Sequence, residues 1–223
     1  MEQVEGIKFP SMPGFNINEA TDILLKRDFD KYREIGEPHP FLVAKERDFL
    51  IPFSHEHFEL WTQSLHFGAK DRLNFVDPKT NLKVGGGLDD VWLNINTNCL
   101  HIVDYKSTSQ KSDKGPITLD DPWKASYKRQ MDLYVWVLRK KGFHVDDVGY
   151  FLYCDGDRFS DYDFLSSTSA SMNFKITLID YTTNDTWIEP TLQDISECLN
   201  ESKRPLHSDY CEYGKFLTQS LNQ

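Results

Sequence analysis

Two neighbouring segments in the middle of the chain constrain its fold more than any other feature. Residues 85–94 read GGGLDDVWLN and residues 99–108 read CLHIVDYKST, and each has the pattern of a β-strand. The four residues between them, INTN, favour a tight turn. The sequence therefore predicts a β-hairpin at this position.

The register of the hairpin determines which acids face each other. In an antiparallel pair the positions of opposed residues have a constant sum, and side chains alternate between the faces. A two-residue turn at 96–97 gives the following opposed pairs: Leu93 with Leu100, Val91 with Ile102, and Asp89 with Asp104. A slip of one residue would oppose Asp90 to Asp104, but it would set Trp92 and Asn94 against apolar partners. We therefore predict that Asp89 and Asp104 are the facing acids.

These two acids and a following lysine have the pattern of a divalent-metal site. Neighbouring carboxylates in a partly buried place repel each other unless a proton or a cation neutralises them. Mg²⁺ is typically held by one or two carboxylates, with waters and substrate phosphates completing its shell. Lys106 leaves the strand on the same face as Asp104, where its ammonium would stabilise charge on a phosphate or orient an attacking water. The alternative is a solvated hairpin end, with Asp104 and Lys106 as an exposed ion pair.

A helix is predicted after the hairpin. Within residues 122–138, large side chains recur at helical spacing: Trp123, Tyr127, Met131, Tyr134 and Leu138. Gly142 ends the pattern, and Gln130 shares a face with Tyr134 four residues later. Lys128 and Arg129 on the same helix are candidates for supporting a substrate.

The charge distribution bears on nucleic-acid binding. The net charge of −10 is unfavourable for a DNA-binding protein, because neutralisation of phosphates by Lys and Arg supplies most of the non-specific affinity. Residues 106–141, however, contain nine Lys or Arg against four acids, whereas residues 145–223 contain five against fourteen. The basic part of the chain therefore coincides with the motifs.

With these motifs the chain resembles the PD-(D/E)XK nuclease superfamily, in particular its RecB-like branch, which includes CRISPR-adaptation and AddB-type exonucleases. That branch has a glycine-led strand with Asp, a second strand ending in Asp-Tyr-Lys, and a helix with Gln-x-x-x-Tyr. The matching residues here are Gly86-Gly87-Leu88-Asp89, Asp104-Tyr105-Lys106, and Gln130 with Tyr134. The resemblance covers about Asn16 to Cys154.

The resemblance implies an assignment of roles. Asp89, Asp104 and the backbone carbonyl of Tyr105 would bind the metal, and Lys106 would be catalytic. Gln130 and Tyr134 would support the site or the DNA. The branch usually has a histidine or an acid on the first core helix, and that helix offers no histidine here but several charged residues: Asp22, Lys26, Asp28 and Asp30.

Many relatives in this branch also carry an iron–sulfur cluster, held by one upstream cysteine and three cysteines near the C-terminus. In the corresponding tail this chain has Cys211 alone. We therefore expect Mg²⁺ or Mn²⁺ as the cofactor and no iron–sulfur cluster.

The expected fold class is α/β, with a restriction-endonuclease-like core of helix, three-stranded meander, helix and strand, additional helices and a C-terminal extension. Five further elements are predicted: a helix from Asn16 to Ile35, a helix from Ser54 to His66, strands over Val148–Cys154 and Phe174–Ile179, and a helix over Leu192–Asn200. We expect residues 1–223 to form a single domain, with the core at about 16–154 and the extension at about 155–223.

A cytoplasmic location is expected. The four cysteines are widely spaced without a CxxC pair, which argues against a disulfide framework and a zinc site. The first residues, MEQVE, lack the features of a signal peptide, and no apolar run is long enough to span a membrane.

The prediction for function is a Mg²⁺- or Mn²⁺-dependent deoxyribonuclease that hydrolyses phosphodiester bonds, of the RecB-like exonuclease type in DNA repair or recombination. The leading alternative is a non-catalytic module that keeps the nuclease fold to bind DNA or protein. A metal-dependent hydrolase acting on something other than nucleic acid is a third hypothesis. The predicted partners are DNA and a helicase or other protein, without a membrane.

Overall fold

A five-stranded mixed sheet is the centre of the fold. The computed structural model describes residues 16–63, 72–111, 115–203 and 205–221. Its strands are Leu50–Pro52 (β1), Asn74–Val76 (β2), Lys83–Gly85 (β3), Asp90–Asn94 (β4), Cys99–Thr108 (β5), Val148–Gly156 (β6) and Phe174–Thr182 (β7). The order across the main sheet is β1-β4-β5-β6-β7. Strands β5 and β6 pair in parallel, and the other neighbouring pairs in this sheet are antiparallel.

Six α-helices lie in the described part of the chain. They are Asn16–Ile35 (α1), Pro40–Ala44 (α2), Phe58–Trp61 (α3), Ala125–Lys140 (α4), Ile188–Asn200 (α5) and Glu212–Leu221 (α6). Helix α1 packs against β1 and β5, and Phe29 contributes to a core cluster with Trp92 and Tyr105. Helix α4 connects β5 to β6 and packs on the other face, so the parallel pair has the crossover helix that such a pair requires. The α/β prediction is confirmed.

The register of the β4–β5 hairpin is the predicted one. Val91 pairs with Ile102, and Asp90 pairs with Val103. The turn differs from the prediction, because it contains the four residues 95–98 instead of two. Asn94 Oδ1 accepts hydrogen bonds from the N–H groups of Asn96 and Thr97, which stabilises the longer loop without changing the sum of paired positions.

Several other predicted elements are confirmed, one is wrong, and one strand was not predicted. The helix over 16–35, the helix ending before Gly142, both later strands and the C-terminal helix are present. The predicted helix from Ser54 to His66 is wrong at its start, since α3 begins at Phe58, and α3 ends at Trp61, before the predicted end. Residues 64–66 of that prediction lie outside the described residues. Strand β1 was not predicted, because it has three residues and contains Pro52, which is typical of an edge strand.

The chain divides into two compact units. One contains residues 1–75 and 83–185 and includes the main sheet; the other contains residues 76–82 and 186–223 and includes α5 and α6. The single-domain assignment stays a prediction. Among the described residues, no helix has the length and apolar character needed to cross a membrane.

Candidate active site

Asp89 and Asp104 meet at the end of the hairpin that lies away from its turn. Asp104 lies within β5 and is 2% exposed, and Asp89 immediately precedes β4. The backbone N–H of Tyr105 donates a hydrogen bond of 2.8 Å to Asp89 Oδ2. The two predicted facing acids are therefore neighbours across the strands.

Lys106 lies on the same side of the sheet as Asp104. Its Nζ forms an ion pair with Asp104 Oδ2 and lies 3.4 Å from the carbonyl oxygen of Tyr105. The same ammonium is 4.7 Å from the centroid of the Tyr127 ring on α4. The structure thus brings together the predicted lysine, both predicted acids and the predicted backbone carbonyl.

Burial makes the charged forms of these acids costly. It raises the pKa of Asp89, and the neighbouring charge of Asp104 raises it further. Burial also raises the pKa of Asp104, although the ammonium of Lys106 partly opposes this shift. Two carboxyl groups whose ionised forms are both disfavoured in this way are suited to binding a cation.

Two unpaired carboxylate oxygens are consistent with the binding of a cation. Asp104 Oδ1 and Asp22 Oδ1 are buried and have no hydrogen-bond partner in the described part of the chain. An orphaned buried carboxylate oxygen is costly, and Mg²⁺ and Mn²⁺ prefer oxygen ligands. Asp89, Asp104 and the Tyr105 carbonyl therefore fit a divalent metal. Within the described ranges no three His, Cys, Asp or Glu side chains are grouped as metal ligands.

The structure distinguishes among the acids of the first helix. Burial, together with the nearby charge of Asp89, raises the pKa of Asp22 to about 6. Asp28 instead pairs with Lys31 at 2.7 Å, and Asp30 pairs with Lys26. Asp22 is therefore the acid of this helix whose charge interacts with the site. The sequence alone did not distinguish it from Asp28 and Asp30.

Gln130 and Tyr134 contact each other and the glycine-led segment. Gln130 Nε2 donates a hydrogen bond of 3.0 Å to Tyr134 Oη, and Tyr134 is 6% exposed. A Cβ atom at Gly86 would lie 2.7 Å from Tyr134 Cε1, which only glycine avoids. The Gln130–Tyr134 pair therefore packs against and supports the backbone that leads to Asp89.

The basic and aromatic residues of α4 differ in their contacts with the site. Lys128 is half-buried and Arg129 is exposed, and neither side chain forms a hydrogen bond or ion pair with another described residue. The structure thus does not bring them to the carboxylates. Tyr127, which belongs to the predicted helical pattern, contacts Lys106. Its position three residues before Gln130 and seven before Tyr134 places it on the same helix face, and this spacing was the available signal.

A five-stranded mixed sheet with flanking helices and two facing acids followed by a lysine defines a restriction-endonuclease-like α/β protein. A sequence profile of the PD-(D/E)XK nuclease superfamily matches residues 18–215. The chain belongs to this superfamily, whose members generally hydrolyse the phosphodiester bonds of nucleic acids. No curated protein and no solved structure shows significant similarity to the chain.

Proposed function

We propose that this protein is a deoxyribonuclease that depends on Mg²⁺ or Mn²⁺ and hydrolyses DNA phosphodiester bonds. The observation that carries the proposal is the contact of Lys106 with Asp104 beside Asp89, at a place where burial raises the pKa of both acids. The family match supports phosphodiester hydrolysis in general.

The residues of the site would have different roles in hydrolysis. Asp89, Asp104 and the Tyr105 carbonyl would hold the cation, which when bound would polarise a phosphoryl oxygen and acidify a water. Lys106 stands beside these ligands, with its ammonium directed by Asp104 and by the Tyr127 ring. From there it would donate hydrogen bonds to a phosphate oxygen and stabilise the negative charge that develops during cleavage.

A more specific hypothesis is a RecB-like exonuclease that acts in DNA repair or recombination. The same resemblance is the reason for proposing a helicase as its partner. Its support is the presence of Asp104-Tyr105-Lys106 together with Gln130 and Tyr134, whose side chains are hydrogen-bonded to each other. Cys211 is the one cysteine in the tail where relatives hold an iron–sulfur cluster, so the hypothesis includes no cluster.

The test is cleavage of end-labelled linear DNA and of circular DNA, each single- and double-stranded, with Mg²⁺ or Mn²⁺. Asp104→Asn should abolish cleavage, whereas Asp163→Asn, which changes an exposed aspartate, should leave it unchanged. Circles that survive while linear DNA is degraded would identify an exonuclease. If folded wild-type protein leaves every substrate intact, the proposal is wrong.

A second candidate is a non-catalytic module that binds DNA or protein. It is favoured by the lack of a third grouped ligand side chain among the described residues and by the acidic composition of residues 145–223. Such a module need not bind Mn²⁺ at Asp89 and Asp104. Its DNA affinity should be unchanged or higher in Asp104→Asn, because a negative charge is removed.

A further inference from the structure

A buried charge network lies on the face of the hairpin opposite the acids of the site. Asp90 is 0% exposed, and its carboxylate Oδ1 accepts a hydrogen bond of 2.5 Å from Arg33 Nη2 on α1. Its Oδ2 accepts bonds from Tyr105 Oη at 2.7 Å and from Trp92 Nε1 at 3.2 Å. Both oxygens of this buried carboxylate are therefore satisfied.

The Arg33 side chain has further contacts besides the one with Asp90. Its Nε donates to Asp30 Oδ1 at 2.9 Å, its Nη1 donates to the carbonyl of Phe53, and its guanidinium lies 3.9 Å from the centroid of the Phe58 ring. Desolvation offsets much of the attraction in a buried ion pair, so the pair adds little net stability. Its hydrogen bonds mainly fix the positions of the Arg33 and Asp90 side chains.

The network reaches the site through the backbone. Asp90 directly follows Asp89, and Tyr105 directly follows Asp104, so the bond between the Asp90 and Tyr105 side chains joins the two strands beside the two facing acids. On the site face, the Tyr105 N–H bonds to Asp89. Tyr105 thus bridges both faces, with its hydroxyl on Asp90 and its N–H on Asp89.

We infer that Arg33, Asp90 and Tyr105 are positioning residues for metal binding, which set the separation of Asp89 and Asp104 from the opposite face of the sheet. The inference rests on the proposed metal site and goes beyond it, because none of these three side chains would touch the metal. Groups that orient metal ligands in this way typically contribute tenfold or more to metal affinity.

Tyr105→Phe is the sharpest variant for the test. It removes the hydroxyl that bonds to Asp90 but keeps the ring, the N–H that bonds to Asp89 and the carbonyl. Tyr150→Phe is the matched control, because Tyr150 is 4% exposed in the same core cluster and its hydroxyl lies near Arg47 and Asp180 instead. Asp90→Asn can be added if it folds.

The measurement is Mn²⁺ affinity, obtained from the electron paramagnetic resonance signal of free Mn²⁺, with thermal unfolding to verify that each variant is folded. We expect Tyr105→Phe to weaken Mn²⁺ binding roughly tenfold and Tyr150→Phe to change it less than about twofold. The Mn²⁺ concentration for half-maximal DNA cleavage should rise in parallel in Tyr105→Phe, with the maximal rate largely recovered at saturating Mn²⁺.

Unchanged affinity in Tyr105→Phe would overturn the inference, and so would an equal loss in both variants, which would indicate general loosening of the core. A wild-type protein that binds no Mn²⁺ would remove this inference together with the proposed function. A wild-type protein that binds Mn²⁺ but does not cleave DNA would remove the proposed function alone, and the comparison of Tyr105→Phe with Tyr150→Phe would still decide the positioning role.

Discussion

The ammonium of Lys106 lies 4.7 Å from the centre of the Tyr127 ring while it also contacts Asp104. The face of an aromatic ring attracts a cation, and the attraction grows where water is partly excluded. The Lys106 side chain is 15% exposed, so both contacts act on a partly desolvated ammonium. Tyr127 therefore restricts where the lysine can place its charge.

Removing the Tyr127 ring should slow DNA cleavage. We expect Tyr127→Leu to lower kcat roughly fivefold, since loss of a cation–π contact costs about 1 kcal/mol. Tyr127→Phe keeps the ring face and should stay within about twofold of the wild-type rate. Single-turnover cleavage rates measure the difference. Equal losses in the two variants would show that the hydroxyl, and not the ring face, is what matters.

Lys106→Met should reduce cleavage by at least about a hundredfold with little change in fold, because it removes a donor aimed at developing charge. Lys79→Met is the matched control, since Lys79 also follows an aspartate by two residues but forms an exposed pair with Glu189 at 3.1 Å. That variant should cleave at the wild-type rate. Wild-type cleavage by folded Lys106→Met would exclude the catalytic role of this lysine.

Asp22→Asn should weaken Mn²⁺ binding several-fold. Its carboxylate interacts electrostatically with Asp89 and Lys106, so its removal takes negative charge away from the cation site. Asp28→Asn alters the same helix at an acid that pairs with Lys31, and it should leave Mn²⁺ affinity unchanged. Titrations of Mn²⁺ into both variants make the comparison, and equal affinities would show that Asp22 plays no part.

The metal-free protein should lose stability as the pH rises from about 4 to about 7. Asp22 has a folded-state pKa of about 6, and that of Asp89 is also raised, compared with about 3.9 for an unfolded aspartate. The folded state therefore binds more protons in this range, and its advantage is present below the unfolded pKa and lost as the pH rises through the folded one. Melting temperatures in EDTA should fall across this range, and the fall should be smaller in Asp89→Asn. A slope that is identical in the two proteins would contradict the assignment.

The sequence predicted the register and the site motif because both depend on local pattern. Apolar residues such as Val91 and Ile102 allow one alignment of the hairpin, and that alignment places Asp89 and Asp104 together. The helix carrying Gln130 and Tyr134 was likewise evident from its period.

Other features depend on contacts between distant residues and could not be predicted in this way. Asp90 is buried because Arg33 reaches it from a helix 57 residues earlier, and no local pattern signals that pairing. The choice of Asp22 over Asp28 depends on how α1 docks on β5. Trp123, which belongs to the helical pattern predicted for residues 122–138, is 59% exposed and lies in a 3-10 turn, Pro122–Lys124, before α4.

The mixture of strand pairings in the main sheet has a consequence for the order of folding. The β4–β5 hairpin closes over a short turn, whereas the parallel β5–β6 pair forms only after the whole stretch from Ser109 to Asp147 has been looped back. Closure of such a long loop is slow, so the hairpin should form first and bring the facing acids together while they are still hydrated. The repulsion between the two acids should then act mainly in the later step that buries them. We therefore expect a divalent cation to speed the final stage of folding more than hairpin formation.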